Sequence, residues 1–367
     1  MKIAARISAT GGRTSGFDYL RIGLAVAVVC FHSALVSYGR EADTALWGTW
    51  LRPFVRAILP MFFALSGYLV AGSLARSKSV GQFLGLRMIR IYPALAVEVF
   101  LSALVLGPLV STVGLADYLR SPLFHRYLLN VTGDMHYLLP GVFASNPFPG
   151  TVNAQLWTVP YELECYLWLA ALSIMGVAGR RHFAAIVAFG VSAASLLIFL
   201  QIHGWRLPTG LASLSGPQLV VAFLAGVCLY LYADKIPWSG RLAAGAAALS
   251  LVLLSVPPLG DYVSPFMVAY LTVYLGLCDP PRLALVRGAD YSYGVFLYGF
   301  AVQQTFASLG TWTHHWWLSI LVSVPGSVLI AALSWHLVEK PALALRNRAT
   351  WTAPLGALWP RLRRASS

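Results

Sequence analysis

Three ionisable residues lie along the first apolar segment of the chain: Asp18 and Arg21 near its start, and His32 eleven residues after Arg21. An α-helix turns about 100° per residue, so Arg21 and His32 project from nearly the same face, about 16 Å apart along the axis, with Asp18 close to that line. Ionisable side chains inside a membrane helix are costly and usually face a cavity that serves a site or a pathway. The spacing therefore predicts one polar helix face that links the two sides of a membrane.

His32 is the residue of this face that can exchange protons near neutral pH, which suits a general base or acid. Glu162 lies about five residues into a later apolar segment that begins near Trp157, at a depth comparable to that of His32. A carboxylate beside an imidazole can orient the ring and stabilise the imidazolium, as in hydrolytic triads. The alternatives are a structural hydrogen bond for His32 and a structural ion pair for Glu162.

Two further arginines, Arg87 and Arg90, stand three residues apart between the second and third apolar segments. On a helix this spacing places both on one face, and with Arg21 they form a cationic cluster at one side of the membrane. Guanidinium groups bind phosphates through paired hydrogen bonds, so the cluster predicts a site for a nucleotide-bearing cofactor that enters from the cytoplasm. The alternative is the positive charge that loops on the inner side ordinarily carry.

The elements that must position these residues are apolar helices. Hydrophobic residues make up 58% of the 367 residues and charged residues only 11%, against roughly a quarter in soluble proteins. The sequence therefore predicts an all-α polytopic membrane protein with about ten transmembrane helices. The apolar windows are 17–38, 54–75, 86–113, 156–178, 183–202, 218–233, 242–256, 262–278, 291–309 and 317–338.

The formal net charge of +13 is explained by membrane topology and does not indicate nucleic acid binding. With a cytoplasmic N-terminus, about 20 of the 26 lysines and arginines fall on the inner side, as the positive-inside rule requires. Both termini are thus expected in the cytoplasm. The arginines expected outside are Arg40, Arg52, Arg56, Arg120, Arg126 and Arg206.

The chain divides into a cytoplasmic segment 1–16, one transmembrane domain 17–345 and a basic cytoplasmic tail 346–367, which is expected to lie on anionic lipid. The longest connection, 114–155, is expected outside, where it either covers the bundle or contacts the acceptor. The four cysteines form no metal-like pair, and no HExxH, P-loop or GxGxxG pattern is present. The sequence therefore predicts no metal site and no dinucleotide site.

Six sequence blocks in order resemble the acyltransferase-3 family of bacterial membrane acyltransferases, from about Phe17 to Leu345. The first block carries the arginine and, after ten residues, the histidine that the family requires. One block departs from the family, because Tyr298-Gly299 stands where many members have Trp-His. The blocks are FDYLRIGLAVAVVCFH at 17–32, PMFFALSGYLVAGSL at 60–74, FLGLRMIRIYPAL at 83–95, LWTVPYELECYL at 156–167, SYGVFLYGF at 292–300 and SWHLVEKPAL at 334–343.

The resemblance implies an enzyme of the bacterial inner membrane that takes an acyl group, most often acetyl, from acyl-coenzyme A. The arginines Arg21, Arg87 and Arg90 would then bind the donor from the cytoplasm. The chain resembles the stand-alone form of the family, without an appended SGNH hydrolase-like domain. Expected partners are the acyl-CoA, a hydroxyl acceptor and membrane lipids, and the sequence leaves a homodimer open.

In the mechanism that the resemblance implies, His32 deprotonates an acceptor hydroxyl, oriented by Glu162 or alternatively by Asp18. A covalent acyl-imidazole at His32 is the alternative route. A cell-surface or exported glycan is the expected acceptor because His32 and loop 114–155 lie toward the outer side, with a macrolide-like molecule or a lipid as alternatives. Two other classes compete: a transporter in which Asp18, His32 and Glu162 relay protons, and a non-catalytic scaffold.

Overall fold

The computed structural model describes residues 1–11, 14–204, 215–256, 258–283 and 288–345. The predicted basic tail 346–367 lies outside the described residues. Among these residues the regular elements are all helices, and the only β-type pairing consists of isolated β-bridges. This confirms the all-α fold class. The α-helices are α1 (Ile3–Ala9), α2 (Gly16–Tyr38), α3 (Arg40–Trp47), α4 (Arg52–Arg76), α5 (Val80–Leu101), α6 (Gly107–Val110), α7 (Leu115–Arg120), α8 (Pro122–Leu128), α9 (Val159–Ile174), α10 (Arg181–His203), α11 (Gly216–Leu231), α12 (Gly240–Ser255), α13 (Leu259–Gly276), α14 (Ser292–Ala307), α15 (Trp316–Ser334) and α16 (Lys340–Ala344).

A helix runs through each of the ten predicted windows. In the described part of the chain, five helical stretches are long and apolar enough to cross a membrane: Gly16–Tyr38, Arg52–Arg76, Val80–Val110, Arg181–His203 and Trp316–Ala344. The protein is therefore a multi-pass membrane protein. The helices in the other five windows have 16 to 18 residues. A helix of 16 residues spans about 24 Å of a hydrocarbon core of about 30 Å, so the count of ten spans stays a prediction.

Helix α5 begins at Val80, six residues before its predicted window. The hydroxyl of Ser79 accepts a hydrogen bond from the backbone N–H of Gln82 at 3.0 Å and so caps the first turn. At the other end the helix continues through a π-helical turn, Ser102–Leu106, into α6. The helix begins earlier than predicted because this cap stabilises its first turn, and a hydropathy window does not detect caps.

The bundle packs through small residues where α4 crosses α11. A Cβ atom on Gly67 would collide with the backbone oxygen of Phe223, and one on Gly226 would collide with that of Ala64. Small residues allow membrane helices to approach closely, where van der Waals contacts replace the missing hydrophobic effect. This crossing fixes the backbone of α4, which lines the cavities described below.

The connections at one end of the bundle pack against the N-terminal segment. The backbone N–H of Ile3 donates to the Ile236 oxygen at 3.0 Å, and the Arg6 side chain donates to the Leu277 oxygen at 3.1 Å. The Ser15 hydroxyl donates to the Pro280 oxygen at 2.5 Å. Segments 1–11, 14–15, 232–239 and 277–283 therefore share one end of the molecule, which is also the end that carries Arg21.

At the opposite end, the long connection 114–155 is fastened to α14. The amide nitrogen of Gln304 donates to the backbone oxygens of Phe148 and Thr151 at 2.7 and 2.8 Å, and Asn146 donates to the Gln304 side chain at 2.8 Å. These bonds hold the connection over the end of the bundle, where α2 ends.

Arg56, near the start of α4, lies inside the bundle. Its side chain is fully buried, with Nη2 2.6 Å from Asp261 Oδ2 and Nε donating to Asp261 Oδ1 at 2.9 Å. The pair joins α4 to α13 inside the bundle. A buried guanidinium is accommodated only because a carboxylate on a neighbouring helix neutralises it.

Candidate active site

Arg21 lies near the start of α2 and reaches a carboxylate that sequence reasoning missed. Its Nη1 is 3.1 Å from Asp290 Oδ2 but 3.9 Å from Asp18 Oδ1. Asp290 precedes α14, so the pair joins the first predicted span to the ninth. Asp18 sits 14 residues before His32, about 21 Å along the helix axis, and therefore beside Arg21 and away from His32.

Arg90 is held by two carboxylates. Its Nη2 is 2.7 Å from Asp290 Oδ2 and its Nη1 is 2.7 Å from Glu339 Oε2, and the Glu339 side chain is only 2% exposed. Burial opposes ionisation of Asp290, but Arg90 and Arg21 outweigh it and lower its pKa to about 2. The four charges form a network that ties α2, α5, the start of α14 and the π-helical turn Trp335–Glu339 together.

Arg87, three residues before Arg90, is in a different electrostatic situation. Its Nη2 donates to the hydroxyl of Ser73 at 3.3 Å, and its buried Nε makes no hydrogen bond to the described residues. Among those residues no carboxylate lies within ion-pairing distance of it. A half-buried guanidinium without a carboxylate counter-ion can bind an anionic ligand.

Three adjoining cavities run through the bundle along this face. The basic mouth is lined by Arg21, Ser73, Arg76, Gln82, Arg87 and Arg90, together with Leu69, Ser77, Leu86 and Leu343. The central cavity has the same three arginines Arg21, Arg87 and Arg90 in its wall, and adds Glu162 and Tyr166 among mostly apolar side chains. The His32 cavity adjoins it and shares the side chains of Leu59, Thr158 and Phe296.

These cavities bring most of the predicted site residues to one path. Arg21, Arg87, Arg90 and Glu162 line the central cavity, and His32 lines the next one. Thr158, four residues before Glu162, lines both. The polar face predicted for α2 therefore lies beside three neighbouring cavities, from the basic mouth to the cavity lined by His32.

Glu162 makes its hydrogen bond within the central cavity and not with His32. The hydroxyl of Tyr166 donates to Glu162 Oε1 and lies 3.4 Å from the Ser66 hydroxyl. The expected carboxylate and imidazole share adjoining cavities, but the described contacts include no direct bond between them. The spacing within α9 explains the result, since Tyr166 is one helical turn from Glu162 on the same face.

His32 is surrounded by aromatic rings. The Phe300 ring meets it edge-on at 5.2 Å between centroids, and Phe31 lies at 5.5 Å. Within the described residues its ring makes no hydrogen bond. The imidazole thus faces a mostly apolar cavity in which an incoming hydroxyl would meet few competing polar groups.

In the part of the chain that the structure describes, no group of three or more His, Cys, Asp or Glu side chains converges. All four cysteines, Cys30, Cys165, Cys228 and Cys278, are free.

A model of the acyltransferase domain matches residues 14–338. This chain belongs to the acyltransferase-3 family. It is similar to nodulation protein 10 of Rhizobium leguminosarum bv. viciae, with 31% identity over 370 residues, covering 92% of this chain and 95% of the relative. It is also similar to an O-acetyl transferase of Shigella phage Sf6, with 25% identity over 334 residues, covering 89% and 96%. No solved structure matches.

Membership of the acyltransferase-3 family makes the protein an enzyme that transfers acyl groups. At Tyr298-Gly299, where the sequence departs from the family pattern, neighbouring side chains occupy the available space. A Cβ atom at Gly299 would lie 2.6 Å from Val29 Cγ2, and the Tyr298 hydroxyl donates to the Ser334 hydroxyl at 3.2 Å. Where many acyltransferase-3 proteins carry a histidine, α14 here packs directly against α2.

Proposed function

We propose that the protein is a membrane O-acetyltransferase that moves an acetyl group from acetyl-coenzyme A to a hydroxyl of a cell-surface or exported glycan. The observation that carries the proposal is the row of three neighbouring cavities that share lining side chains, from the basic mouth through the central cavity to the His32 cavity. The name of the Shigella phage relative supports an acetyl group and an oxygen acceptor.

The donor's phosphates would bind at the basic mouth. Arg87 is the strongest candidate because its guanidinium has no carboxylate partner among the described residues, while Arg90 is already paired with Asp290 and Glu339. Arg21 and Arg76 line the same mouth and add positive charge. Guanidinium groups bind phosphate oxygens through two parallel hydrogen bonds, which suits a nucleotide end.

The pantetheine arm of the donor would follow the central cavity. The lining of this cavity is mainly apolar, which suits the uncharged pantetheine arm. Its apolar side chains are Leu59, Phe62, Phe63, Leu65, Leu69, Val70, Ile91 and Phe296. Arg21 and His32 are about 16 Å apart along α2, so an extended arm anchored at the arginines would deliver its thioester close to the histidine.

At His32 the chemistry is an acyl transfer. The imidazole takes the proton of the acceptor hydroxyl while the oxygen attacks the thioester carbonyl, and the resulting tetrahedral intermediate expels the coenzyme A thiolate, which takes the proton from the imidazolium. In the alternative route, His32 itself attacks the thioester and the acceptor then attacks the acyl-imidazole. In both routes the products are the acetyl ester and free coenzyme A.

The proposed orientation follows from the distribution of charge. The end that carries Arg21 and segments 1–11, 14–15, 232–239 and 277–283 would face the cytoplasm of a bacterial inner membrane, where acetyl-coenzyme A is made. The His32 cavity would then open toward the outer side near connection 114–155, which favours an extracytoplasmic acceptor over a cytoplasmic one.

The test measures acetyl-coenzyme A consumption by purified enzyme in lipid nanodiscs with extracted envelope glycan. His32→Ala is expected to lower the rate by about 10²- to 10⁴-fold, the usual contribution of a general base. His203→Ala, an exposed histidine at the end of α10, is the matched control. A His32→Ala enzyme that folds normally and keeps full activity would contradict the catalytic role.

The acceptor is identified by comparing envelope glycans of a deletion strain and its parent by mass spectrometry. Loss of acetyl esters from a glycan in the deletion strain supports the proposal. Loss of acetyl esters from a lipid or a small natural product would show that this molecule, and not a glycan, is the acceptor. Solute flux into vesicles without thioester consumption would support the transporter class instead.

A further inference from the structure

Gln155 is the polar neighbour of His32 that sequence reasoning overlooked. It lies in the 3₁₀ turn Ala154–Thr158 before α9, its side chain is buried, and it lines the His32 cavity. Its amide nitrogen donates to the Leu297 backbone oxygen at 2.7 Å and to Asn153 Oδ1 at 3.1 Å. Both N–H bonds of the amide are therefore engaged.

These two bonds fix the orientation of the amide group. A backbone carbonyl can only accept a hydrogen bond, so the nitrogen of Gln155 must face Leu297 and the oxygen must point elsewhere. The partner amide is held in turn, because Asn153 Nδ2 donates to the buried carboxylate of Glu98. The Ser102 hydroxyl donates to the same Glu98 oxygen at 2.7 Å.

This arrangement leaves the oxygen of Gln155 unused. Oε1 is buried and accepts no hydrogen bond from the described residues. The His32 ring in the same cavity likewise makes none with them, although a neutral imidazole always carries one N–H donor. An unmet acceptor and an unmet donor thus share a cavity whose other side chains are mostly apolar, including Val28, Val55 and Ile58.

We propose that Gln155 is the positioning residue of His32: its Oε1 accepts the ring N–H, so that the other ring nitrogen is unprotonated and faces the acceptor hydroxyl. The inference rests on the proposed role of His32 as the base. A rotation of the ring or one bridging water completes the bond. The cavity volume of about 60 Å³ leaves room for such a water.

The proposal gives a role to the buried side chains of Asn153 and Gln155, which the mechanism does not otherwise use. A row of hydrogen bonds joins Glu98 on α5 to Asn153 and then to Gln155, at the end of connection 114–155, in the wall of the His32 cavity. It supplies an orienting group for His32, whereas Glu162 is engaged by Tyr166 in the central cavity. A rigid acceptor matters because a base works only in the tautomer that leaves the reacting nitrogen free.

The kinetic test compares Gln155→Leu with Gln303→Leu. Gln303 is a matched control because it is equally buried, also carries an unpartnered Oε1, and lies outside the three cavities. Gln155→Leu is expected to lower kcat by about 10- to 100-fold, the loss of one hydrogen bond to a group that becomes charged, with the KM for acetyl-coenzyme A changed less than about twofold. Gln303→Leu is expected to keep the wild-type kcat per folded molecule.

The second variant is Gln155→Glu, which retains an oxygen at the same position and is expected to keep a higher kcat than Gln155→Leu. Equal kcat values for wild type and Gln155→Leu overturn the proposal. So does a loss of kcat in Gln303→Leu as large as that in Gln155→Leu, because the effect would then report on packing.

The spectroscopic test reads the tautomer directly from ¹⁵N-labelled histidine in the full-length protein, with the His32 signals assigned by their loss in His32→Ala. One tautomer is expected in the wild type and a mixture in Gln155→Leu. A mixture in the wild type overturns the proposal even if no Gln155 variant folds. Retained activity in His32→Ala would instead refute the role of His32 as the base. The tautomer measurement is independent of that result, because it reports only on the interaction between Gln155 and the His32 ring.

Discussion

Arg87 and Arg90 are identical residues one helical turn apart, yet the structure predicts opposite consequences for their removal. Arg87→Ala deletes a cation that has only the Ser73 hydroxyl as its hydrogen-bond partner among the described residues. Arg90→Ala deletes the partner of two carboxylates, each 2.7 Å away. The first variant is expected to lose donor binding and the second to lose stability.

The magnitudes follow from the contacts. A hydrogen bond to a charged group contributes about 1.5–3 kcal/mol, so Arg87→Ala should raise the Kd for acetyl-coenzyme A by about 10- to 150-fold. The same variant also loses the long, half-exposed hydrogen bond from Arg87 to Ser73, which lowers the free energy of unfolding by only about 1 kcal/mol. Arg90→Ala leaves Glu339 buried without its cation, while Asp290 keeps Arg21, and such a loss costs about 3–5 kcal/mol.

The assay measures two quantities for each variant: the Kd for acetyl-coenzyme A by calorimetry in detergent or nanodiscs, and the free energy of unfolding in denaturant. Arg87→Lys is a useful intermediate, because it keeps the charge and loses the paired hydrogen bonds. Unchanged donor affinity in Arg87→Ala, or an Arg90→Ala enzyme as stable as Arg87→Ala, would refute the distinction between the two arginines.

Two further predictions concern the network and the departure from the family. Because the pKa of Asp290 is lowered from 3.8 to about 2, its ionised form contributes about 2 kcal/mol of stability above pH 4, which is lost as the pH falls toward 2. Asp290→Asn should therefore be less stable than wild type at pH 7, with the difference in unfolding free energy narrowing below pH 4; a constant difference would contradict the assignment. Gly299→His should destabilise the α2–α14 contact because its Cβ would meet Val29, and Val29→Ala should partly restore the melting temperature. A Gly299→His enzyme as stable as wild type would show that the two helices can separate.

The helices themselves were predictable because each depends on local sequence. Every apolar window contains a helix, and the face shared by Arg21 and His32 follows from helical periodicity alone. The predicted boundaries missed local polar contacts, as at Ser79, whose cap extends α5 beyond its apolar window. The burial of Arg56 against Asp261 could not be predicted from local sequence, because the two residues lie 205 positions apart in the chain.

The sequence by itself determined the all-helical membrane class, the polar face of α2 and the types of residue available for acyl transfer. Only the tertiary structure decided which of those residues share a cavity and which are already paired. Arg90 is neutralised by residues 200 and 249 positions away, while Arg87 on the same face is not. His32 shares its cavity with Gln155, whereas Glu162 accepts a hydrogen bond from Tyr166. The physical reason is that ion pairs and hydrogen bonds act over a few ångströms, so packing between helices far apart in the chain chooses the partners.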